Sequence, residues 1–258
     1  SDVGQRDKTA LRMHGHLESL MDYRDITVLY EDNHVLVAVK PQGVPSQSDI
    51  SGDADMLGLL KARIKEKYSK PGNVYLGLVH RLDRPTGGVM VFARTSKAAA
   101  RLGEQIKDGT FGKKYLAVLT ERPNEKHAQL VHYLLKDSST NNVRVVPMTT
   151  EGAKKAVLEY NVMESREDDG LYLADVKLYT GRSHQIRVQM ATIGCPIYGD
   201  IRYGKDQPYG HLALWSYDLS FVHPTTGKRM IFRVFPPEEY PWTIFNLERH
   251  IGIVRPSD

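Results

Sequence analysis

Short apolar runs separated by turn-forming residues recur along most of the chain and predict many strands. The runs at Val35–Lys40 and 89–93 are almost continuously apolar, as in strands that are covered on both faces. Other runs bounded by Gly, Pro, Asn or Asp predict further strands, at 27–30, 75–80, 113–119, 129–135, 143–148, 153–163, 171–179, 212–218 and 230–234. A sheet formed by these strands must hold much of the core.

Three segments instead have the apolar spacing of helices, over 55–68, 96–107 and 183–193. Each starts with a residue that commonly caps a helix: Asp55, Ser96 and Ser183. Because strands outnumber helices and come in runs, the expected fold class is α+β. We expect a mixed, largely antiparallel central sheet with helices packed on it.

The chain has 258 residues and is expected to form one folded domain over 23–248. Residues 1–22 are polar and predict a flexible N-terminal extension. Residues 249–258 are expected to form a C-terminal tail. No fixed repeat and no clear linker divides the segment between them.

Composition excludes several classes of protein. The hydrophobic fraction of 41% and the charged fraction of 26% are those of ordinary globular proteins, which excludes disorder or coiled coil as the main description. Cys195 is the single cysteine, so an intramolecular disulfide and a Cys-based zinc site are excluded. Such cysteine usage fits a cytoplasmic location. We recognise no secretion signal, and the apolar runs are far below the ~20 residues of a membrane span.

The net charge of +4 permits a polyanionic partner without requiring one. No segment matches a phosphate-binding Walker loop, a dinucleotide-binding glycine motif, a nucleophile elbow or a His-Glu-x-x-His metal motif. Any catalysis is therefore expected to rest on side chains alone, with no cofactor, no nucleotide and no metal.

The segment HRLDRPTGG at 80–88 joins two apolar strands, so its polar groups are expected at a sheet edge. Arg81 and Arg84 flank Asp83, and nearby cations favour the charged form of a carboxyl group. A fixed, ionised carboxylate can act as a nucleophile or a base. The alternative is that Asp83 caps a turn while both arginines face solvent.

The segment TGRSHQIR at 180–187 places polar groups at the predicted start of the third helix, where free N–H groups attract anions. His184 and Arg187 share a helix face, and Arg187 could pair with Asp83. Gln185 could hydrogen-bond a base or a backbone group. The alternative is an ordinary helix start with a polar cap.

Lys113, Lys114 and Tyr115 open another predicted strand. Either Tyr115 is a core residue below a lysine-rich edge, or it is an aromatic platform for a nucleobase. In the second case the lysines would contact phosphates.

Taken together, these segments resemble the RluA-type pseudouridine synthases. Residues 80–88 are similar to that family's His-Arg-Leu-Asp-x-x-Thr-Ser-Gly signature, and 180–200 (TGRSHQIRVQMATIGCPIYGD) to its C-terminal signature. Lys40-Pro41-x-Gly43 and Lys114-Tyr115 resemble two further motifs. The order and spacing agree over about 25–240. Gly87 stands where the family usually has Ser, from which we expect a softer turn and a lost hydroxyl.

The resemblance implies the pseudouridine synthase catalytic fold and the isomerisation of specific uridines in rRNA or tRNA to pseudouridine, by base flipping and without a cofactor. Asp83 would be the catalytic carboxylate, by attack on the base, attack on the sugar or abstraction of a sugar proton. Arg187 would form an ion pair with Asp83. Tyr115 would stack on the target base, and Arg81 would fill the gap that the flipped base leaves.

The implied partner is RNA, with no membrane and no nucleotide cofactor, and the default oligomeric state is a monomer. Too few residues precede the first strand for an accessory RNA-binding domain, so the catalytic domain is expected to supply its own recognition. The predicted RNA-binding side chains are Arg81, Arg84, Lys113, Lys114, Arg182, His184 and Gln185.

Two other functions compete with this one. The first is an RNA-binding protein that has the same fold but no turnover. The second is a hydrolase that uses Cys195 as nucleophile with His184 or His211 as base. Cys195 follows a predicted helix between Gly194 and Pro196, without a base at motif spacing, and is more typical of a small buried thiol.

Overall fold

A computed structural model describes residues 21–205, 207 and 210–252. Residues 1–20 of the predicted extension lie outside this part of the chain. The eleven strands within it are β1 Val28–Glu31, β2 Val35–Lys40, β3 Gly77–Leu78, β4 Gly87–Ala93, β5 Gly112–Leu119, β6 His127–Asp137, β7 Asn142–Val145, β8 Lys154–Arg166, β9 Leu171–Leu178, β10 Leu214–Val222 and β11 Arg229–Arg233. Its four α-helices are α1 Met56–Lys67, α2 Ser96–Asp108, α3 Gln185–Thr192 and α4 Leu247–Ile251.

All of these strands belong to one sheet. Its order is β1-β2-β4-β10-β5-β9-β8-β6-β7, with β3 paired to β4 and β11 to β10. The β4–β10 pair is parallel, and the other pairs are antiparallel. The expected α+β fold with a mixed, largely antiparallel sheet is confirmed.

The position of β10 brings two distant segments together. Ser216 of β10 pairs with Gly88 on one side and with Tyr115 of β5 on the other. The loop before β4, which carries Asp83, therefore lies two strands away from Tyr115.

Helices cover both faces of the sheet around β2 and β4. Leu36 and Phe92 belong to one apolar cluster, which includes the buried side of α1. Val37 and Val91 face the opposite way, into a second cluster with Leu102 of α2. Burial on both faces explains why these two strands are continuously apolar in sequence. Within the described residues, no helix combines the length and the apolar character needed to cross a bilayer.

The helix ends agree with the sequence in part. Asp55 caps α1 as predicted, and its Oδ1 accepts a hydrogen bond of 3.0 Å from the Gly58 N–H. For α2 the cap is Thr95 and not Ser96, since Thr95 Oγ1 accepts from the Ala98 N–H at 3.0 Å. Both residue types are good caps, so spacing alone could not choose between them.

Two other boundaries differ from the prediction. Of the strand predicted at 75–80, only Gly77–Leu78 is paired. At the other end of the chain, α4 crosses the predicted domain boundary at 248. Ile251 is buried in the main apolar cluster, so part of the predicted tail packs on the fold.

Gly87 lies in β4 itself, not in a soft turn as expected. A Cβ atom at this position would lie 2.4 Å from Cζ3 of Trp215 and 2.9 Å from the carbonyl oxygen of Lys40. The indole of Trp215 therefore occupies the space that a side chain at residue 87 would need.

We expect Gly87→Ala to lower the free energy of unfolding by about 1–3 kcal/mol, because overpacking forces Trp215 or Lys40 to shift. Gly103→Ala is the matched control. Residue 103 is helical and has open space around its Cβ position, so alanine should raise stability by about 0.5–1 kcal/mol. Urea unfolding measures both changes. Equal stability of Gly87→Ala and the wild type would contradict the steric explanation.

Candidate active site

Two cavities meet at the loop that carries Asp83. The larger has a volume of about 990 Å³ and the smaller about 570 Å³. Arg81, Asp83, His184 and Arg187 line both of them. The two segments that the sequence singled out, 80–88 and 180–187, therefore meet in one site.

The backbone on both sides of Asp83 is held by buried side chains. On one side, Ser46 Oγ accepts from the Leu82 N–H at 3.1 Å and donates to the Leu82 carbonyl at 2.8 Å. On the other side, Lys40 Nζ donates to the Arg84 carbonyl at 3.0 Å. These bonds fix the turn before any ligand binds, as a catalytic side chain requires.

Lys40 joins this loop to the loop after β2. Its ammonium group also donates to the carbonyls of Pro41, at 3.0 Å, and of Val44. Three carbonyls thus match its three N–H donors. Burial lowers the pKa of Lys40 to about 7, and the charge of Asp83 opposes this effect. The Lys-Pro-x-Gly motif pointed to Lys40, but sequence reasoning assigned it no role.

Asp83 remains reachable from the cavities. Its side chain is 32% exposed, and its Oδ2 lies 4.0 Å from Nε2 of the buried His184. A carboxylate that is fixed but not enclosed can contact an incoming ligand.

Arg187 does not form the ion pair with Asp83 that the sequence led us to expect. Its Nε and Nη2 donate to the two carboxylate oxygens of Asp200, at 2.9 and 2.8 Å, and both residues are buried. Burial lowers the pKa of Arg187, but the hydrogen bonds and charge of Asp200, with a further contribution from Asp83, raise it above the ordinary value overall. Asp200 lies within the 180–200 motif, which was the available signal for this partner.

Tyr115 lines the smaller cavity from β5 and is 6% exposed. Burial, and after it the charge of Asp83, raise the pKa of Tyr115 far above its ordinary value. Its hydroxyl is therefore neutral, and it lines the same cavity as the carboxylate.

The two lysines that were predicted to contact RNA lie on opposite faces of β5. Lys113 lies on the same face of β5 as Tyr115 and lines the smaller cavity, where burial lowers its pKa. Lys114 lies on the other face, where its charge acts on Asp175.

Two of the side chains predicted to bind RNA form hydrogen bonds within the protein. Arg84 lines the larger cavity, but its guanidinium donates to the Gly43 carbonyl at 2.9 Å and pairs with Asp53. Gln185 is buried; it accepts from the Arg182 N–H at 3.0 Å and donates to the Val157 carbonyl at 3.1 Å. Gln185 thus braces the start of α3, which is the backbone alternative that the sequence left open.

Arg182 is exposed and lines the smaller cavity, with its Nε held by the Lys155 carbonyl at 2.9 Å. The cap of α3 is not Ser183 as predicted but His184, which has a left-handed backbone and makes no side-chain capping bond. Sequence reasoning also missed Tyr203, whose hydroxyl lies 2.5 Å from Nδ1 of His184.

Cys195 is buried, and neither cavity includes it in its wall. Burial, with a smaller effect of Glu121, raises the pKa of the Cys195 thiol. A reactive thiolate needs the opposite shift, so the structure disfavours the Cys195 hydrolase.

Comparisons with known proteins agree with the motifs. Residues 34–192 match the family described as RNA pseudouridylate synthase. The dual-specificity RNA pseudouridine synthase RluA of Salmonella typhi is 33% identical over 215 residues, which cover 81% of this chain and 92% of that protein. The ribosomal large subunit pseudouridine synthase D of Zymomonas mobilis is 31% identical over 229 residues, or 83% and 70% of the two chains.

A solved structure also has the same fold. Human RNA Pseudouridylate Synthase Domain Containing 4 superposes with a TM-score of 0.69 at 22% identity, and the match covers 88% of this chain and 94% of that one.

The buried ion pair of Arg187 gives a stability prediction. Asp200→Asn leaves the Arg187 charge unpaired, so we expect the free energy of unfolding to fall by about 3–5 kcal/mol. Asp53→Asn breaks the exposed pair with Arg84 and should change stability little. Urea unfolding measures the free energy of unfolding of both variants. If Asp200→Asn lowers it no more than Asp53→Asn does, the structural role of Asp200 is refuted.

His80 gives a pH prediction. Its Nε2 accepts from the Val91 N–H at 3.1 Å, while its Nδ1 is buried without a partner. Burial, with the charge of Lys113, lowers the pKa of His80 to about 3, from an ordinary 6.5. Between these values the unfolded chain binds a proton that the folded chain does not, so stability falls as the pH drops below 6.5.

The free energy of unfolding should therefore fall less with decreasing pH in His80→Gln than in the wild type. The slope of this free energy against pH is obtained from urea unfolding at pH 7 and pH 5. His211→Gln removes an exposed histidine and should keep the wild-type slope. The assignment to His80 is refuted by parallel slopes in His80→Gln and wild type.

Proposed function

Because the chain belongs to the RNA pseudouridylate synthase family and is a pseudouridine synthase of the RluA type, we propose that it acts on uridines of rRNA or tRNA with Asp83 as the catalytic carboxylate. The observation that carries this proposal is the position of Asp83. It lies on a turn held by hydrogen bonds, lines both cavities, and shares the smaller one with the neutral Tyr115.

The reaction breaks the bond between N1 of uracil and C1′ of the ribose, and forms a bond between C5 and C1′. The hydrogen on C5 leaves as a proton, and N1 gains one. All bonds are exchanged within one nucleotide, so no cofactor is needed. Asp83 starts this sequence by attack on the base, attack on the sugar or removal of a sugar proton, and its exposure allows each of these.

The smaller cavity is the proposed pocket for the target base. A uridine stacked in RNA must be extruded to enter it, at a cost of a few kcal/mol. Stacking on Tyr115, worth roughly 1–3 kcal/mol, offsets part of that cost. Arg81 is exposed in the wall shared by both cavities, where it can fill the gap left in the RNA.

Cationic side chains around the cavities would hold the RNA backbone. Lys113 and Arg182 line the smaller cavity, and Lys136 and Arg202 line the larger one. Contacts of this kind position the RNA without reading its sequence, and they weaken as salt rises. Arg84 acts indirectly in this proposal, because it holds the loop that contains Asp53 beside the larger cavity.

The names of two relatives support the choice of substrate class. One relative is described as dual-specificity and the other as acting on the large ribosomal subunit. We propose a structured RNA of either kind, a cytoplasmic location and action as a monomer. An RNA-binding protein without turnover is disfavoured by the membership of this family of enzymes.

Release of tritium from RNA labelled at C5 of uridine tests the proposal, because the new C–C bond must expel that hydrogen. We expect Asp83→Asn to lower the rate at least about 10²–10⁴-fold. Its affinity for RNA should change little, since the cationic contacts remain.

Asp168→Asn is the control, since this residue lies exposed in the turn between β8 and β9 and should keep wild-type release. Equal release by Asp83→Asn and wild type would overturn the assignment. Release from ribosomal RNA alone or transfer RNA alone identifies the substrate class.

A further inference from the structure

His184 has an uncommon backbone for a residue with a side chain. Its φ of 52° and ψ of 22° lie in the left-handed region, just before α3. Such strain persists where surrounding contacts impose it, and it concentrates at functional sites. Here it places the buried imidazole between Asp83 and Tyr203, in the wall of both cavities.

The hydroxyl of Tyr203 determines which ring nitrogen of His184 carries the proton. The Val143 N–H donates to this hydroxyl oxygen at 3.1 Å. Among the hydrogen bonds of the described residues, the acceptor left for the hydroxyl's own hydrogen is Nδ1 of His184, at 2.5 Å. If Nδ1 accepts, the ring proton is on Nε2.

On this assignment, the ring proton is on the nitrogen that lies near Asp83. Nε2 lies 4.0 Å from Oδ2 of the carboxylate. Burial lowers the pKa of His184 against the opposing charge of Asp83. The neighbouring cations Arg187, Arg202 and Lys136 act in the same direction as burial. The imidazole is therefore neutral, and on this assignment its N–H is on the nitrogen 4.0 Å from the carboxylate, beyond hydrogen-bond distance.

Tyr203 is itself fixed from two sides. Its backbone N–H donates to Oδ1 of Asp200 at 3.2 Å, and its ring centre lies 5.1 Å from the Arg187 guanidinium carbon. Val143, which donates to the hydroxyl, belongs to β7. The orientation of the His184 ring is thus set by the buried ion pair and by the edge of the sheet.

We propose that His184 is a positioning residue for Asp83, and that Tyr203 positions His184 by fixing its proton on Nε2. The donor holds the carboxylate in its reactive orientation. The 4.0 Å separation shortens to a hydrogen bond when the nucleotide enters and displaces water, as catalytic bonds commonly tighten in the substrate complex. This inference rests on the proposed role of Asp83.

Three variants test it, with kcat and KM measured by tritium release from labelled RNA. His184→Asn suits a left-handed backbone, but its amide ends at the position of Nδ1. We expect a fall in kcat of about 10- to 100-fold with a nearly unchanged KM, because misplacement of a catalytic group acts on the chemical step. In His184→Gln the amide nitrogen reaches the position of Nε2, so kcat should recover to within about 10-fold of wild type.

Tyr203→Phe removes the hydroxyl and should lower kcat by about 10-fold, since the ring proton is no longer fixed on Nε2. Tyr172→Phe is its control. Tyr172 also loses a hydroxyl hydrogen bond, to Glu167 near the β8–β9 turn, and this variant should keep wild-type kcat.

Asp83→Asn is measured beside these variants. If it keeps wild-type turnover, the proposed function itself fails. If it is inactive while His184→Asn keeps wild-type kcat, the positioning role alone is refuted. Equal losses in His184→Asn and His184→Gln would also refute it, because they would show a structural requirement and not a donor at Nε2.

His184→Gly covers the case in which the other substitutions disturb folding. Glycine accepts the left-handed backbone without strain and leaves room for the missing ring. We expect added imidazole to restore turnover in a concentration-dependent way. Absence of any restoration in the folded variant would overturn the proposal.

Discussion

The pairing of β10 between β4 and β5 is the constraint on which the site depends. Ser216 pairs with Gly88 on one side and Tyr115 on the other. A Cβ atom at Gly88 would lie 2.2 Å from the Ser216 carbonyl oxygen, and the φ of Gly88 is +130°. A residue with a side chain could not bring these two strands so close. The distance between the Asp83 loop and Tyr115 is therefore set by backbone contact.

Around this junction, the buried charges are satisfied within the protein. Lys40 is surrounded by carbonyls, and Arg187 is bound by Asp200 through two hydrogen bonds. An unpaired buried charge is costly, so these partners maintain the rigidity of the site. Asp83 differs from both, because its carboxylate is partly exposed and faces two cavities. The surrounding framework is held by hydrogen bonds, and the carboxylate that we propose to react remains accessible.

Neutral polar groups line the smaller cavity with Asp83, and cationic side chains line the walls of both cavities. Tyr115 is neutral because burial and the nearby carboxylate raise its pKa, and His184 is neutral because burial lowers its pKa. Neutral neighbours can donate or stack without cancelling the negative charge that the proposed chemistry uses. Lys136 and Arg202, at the wall of the larger cavity, are placed to meet a polyanion. In the proposed function, this arrangement would separate the binding of RNA from the chemical step.

Local features of the chain could be predicted because they depend on neighbours in sequence. Periodicity located most strands and three of the four described α-helices, since burial of one face or of both faces imposes a spacing. The short helix α4 was missed. The motif around Asp83 and the motif that contains Tyr115 could both be recognised, because the residues of each motif are neighbours in the sequence. The cap at Thr95 was missed by one residue, because adjacent Thr and Ser are equivalent in local chemistry.

Only the tertiary structure decided which distant groups pair. The sequence led us to pair Arg187 with Asp83, but the fold placed Asp200 at both of its bonding nitrogens. Gln185 points inward, because its amide forms hydrogen bonds to the Arg182 N–H and the Val157 carbonyl at the start of α3. Tyr203 contacts His184 from a loop, where hydrophobic periodicity gives no information about contacts. The sequence specifies which side chains are charged or can form hydrogen bonds. Which partner each side chain finds depends on distance and direction in the folded chain.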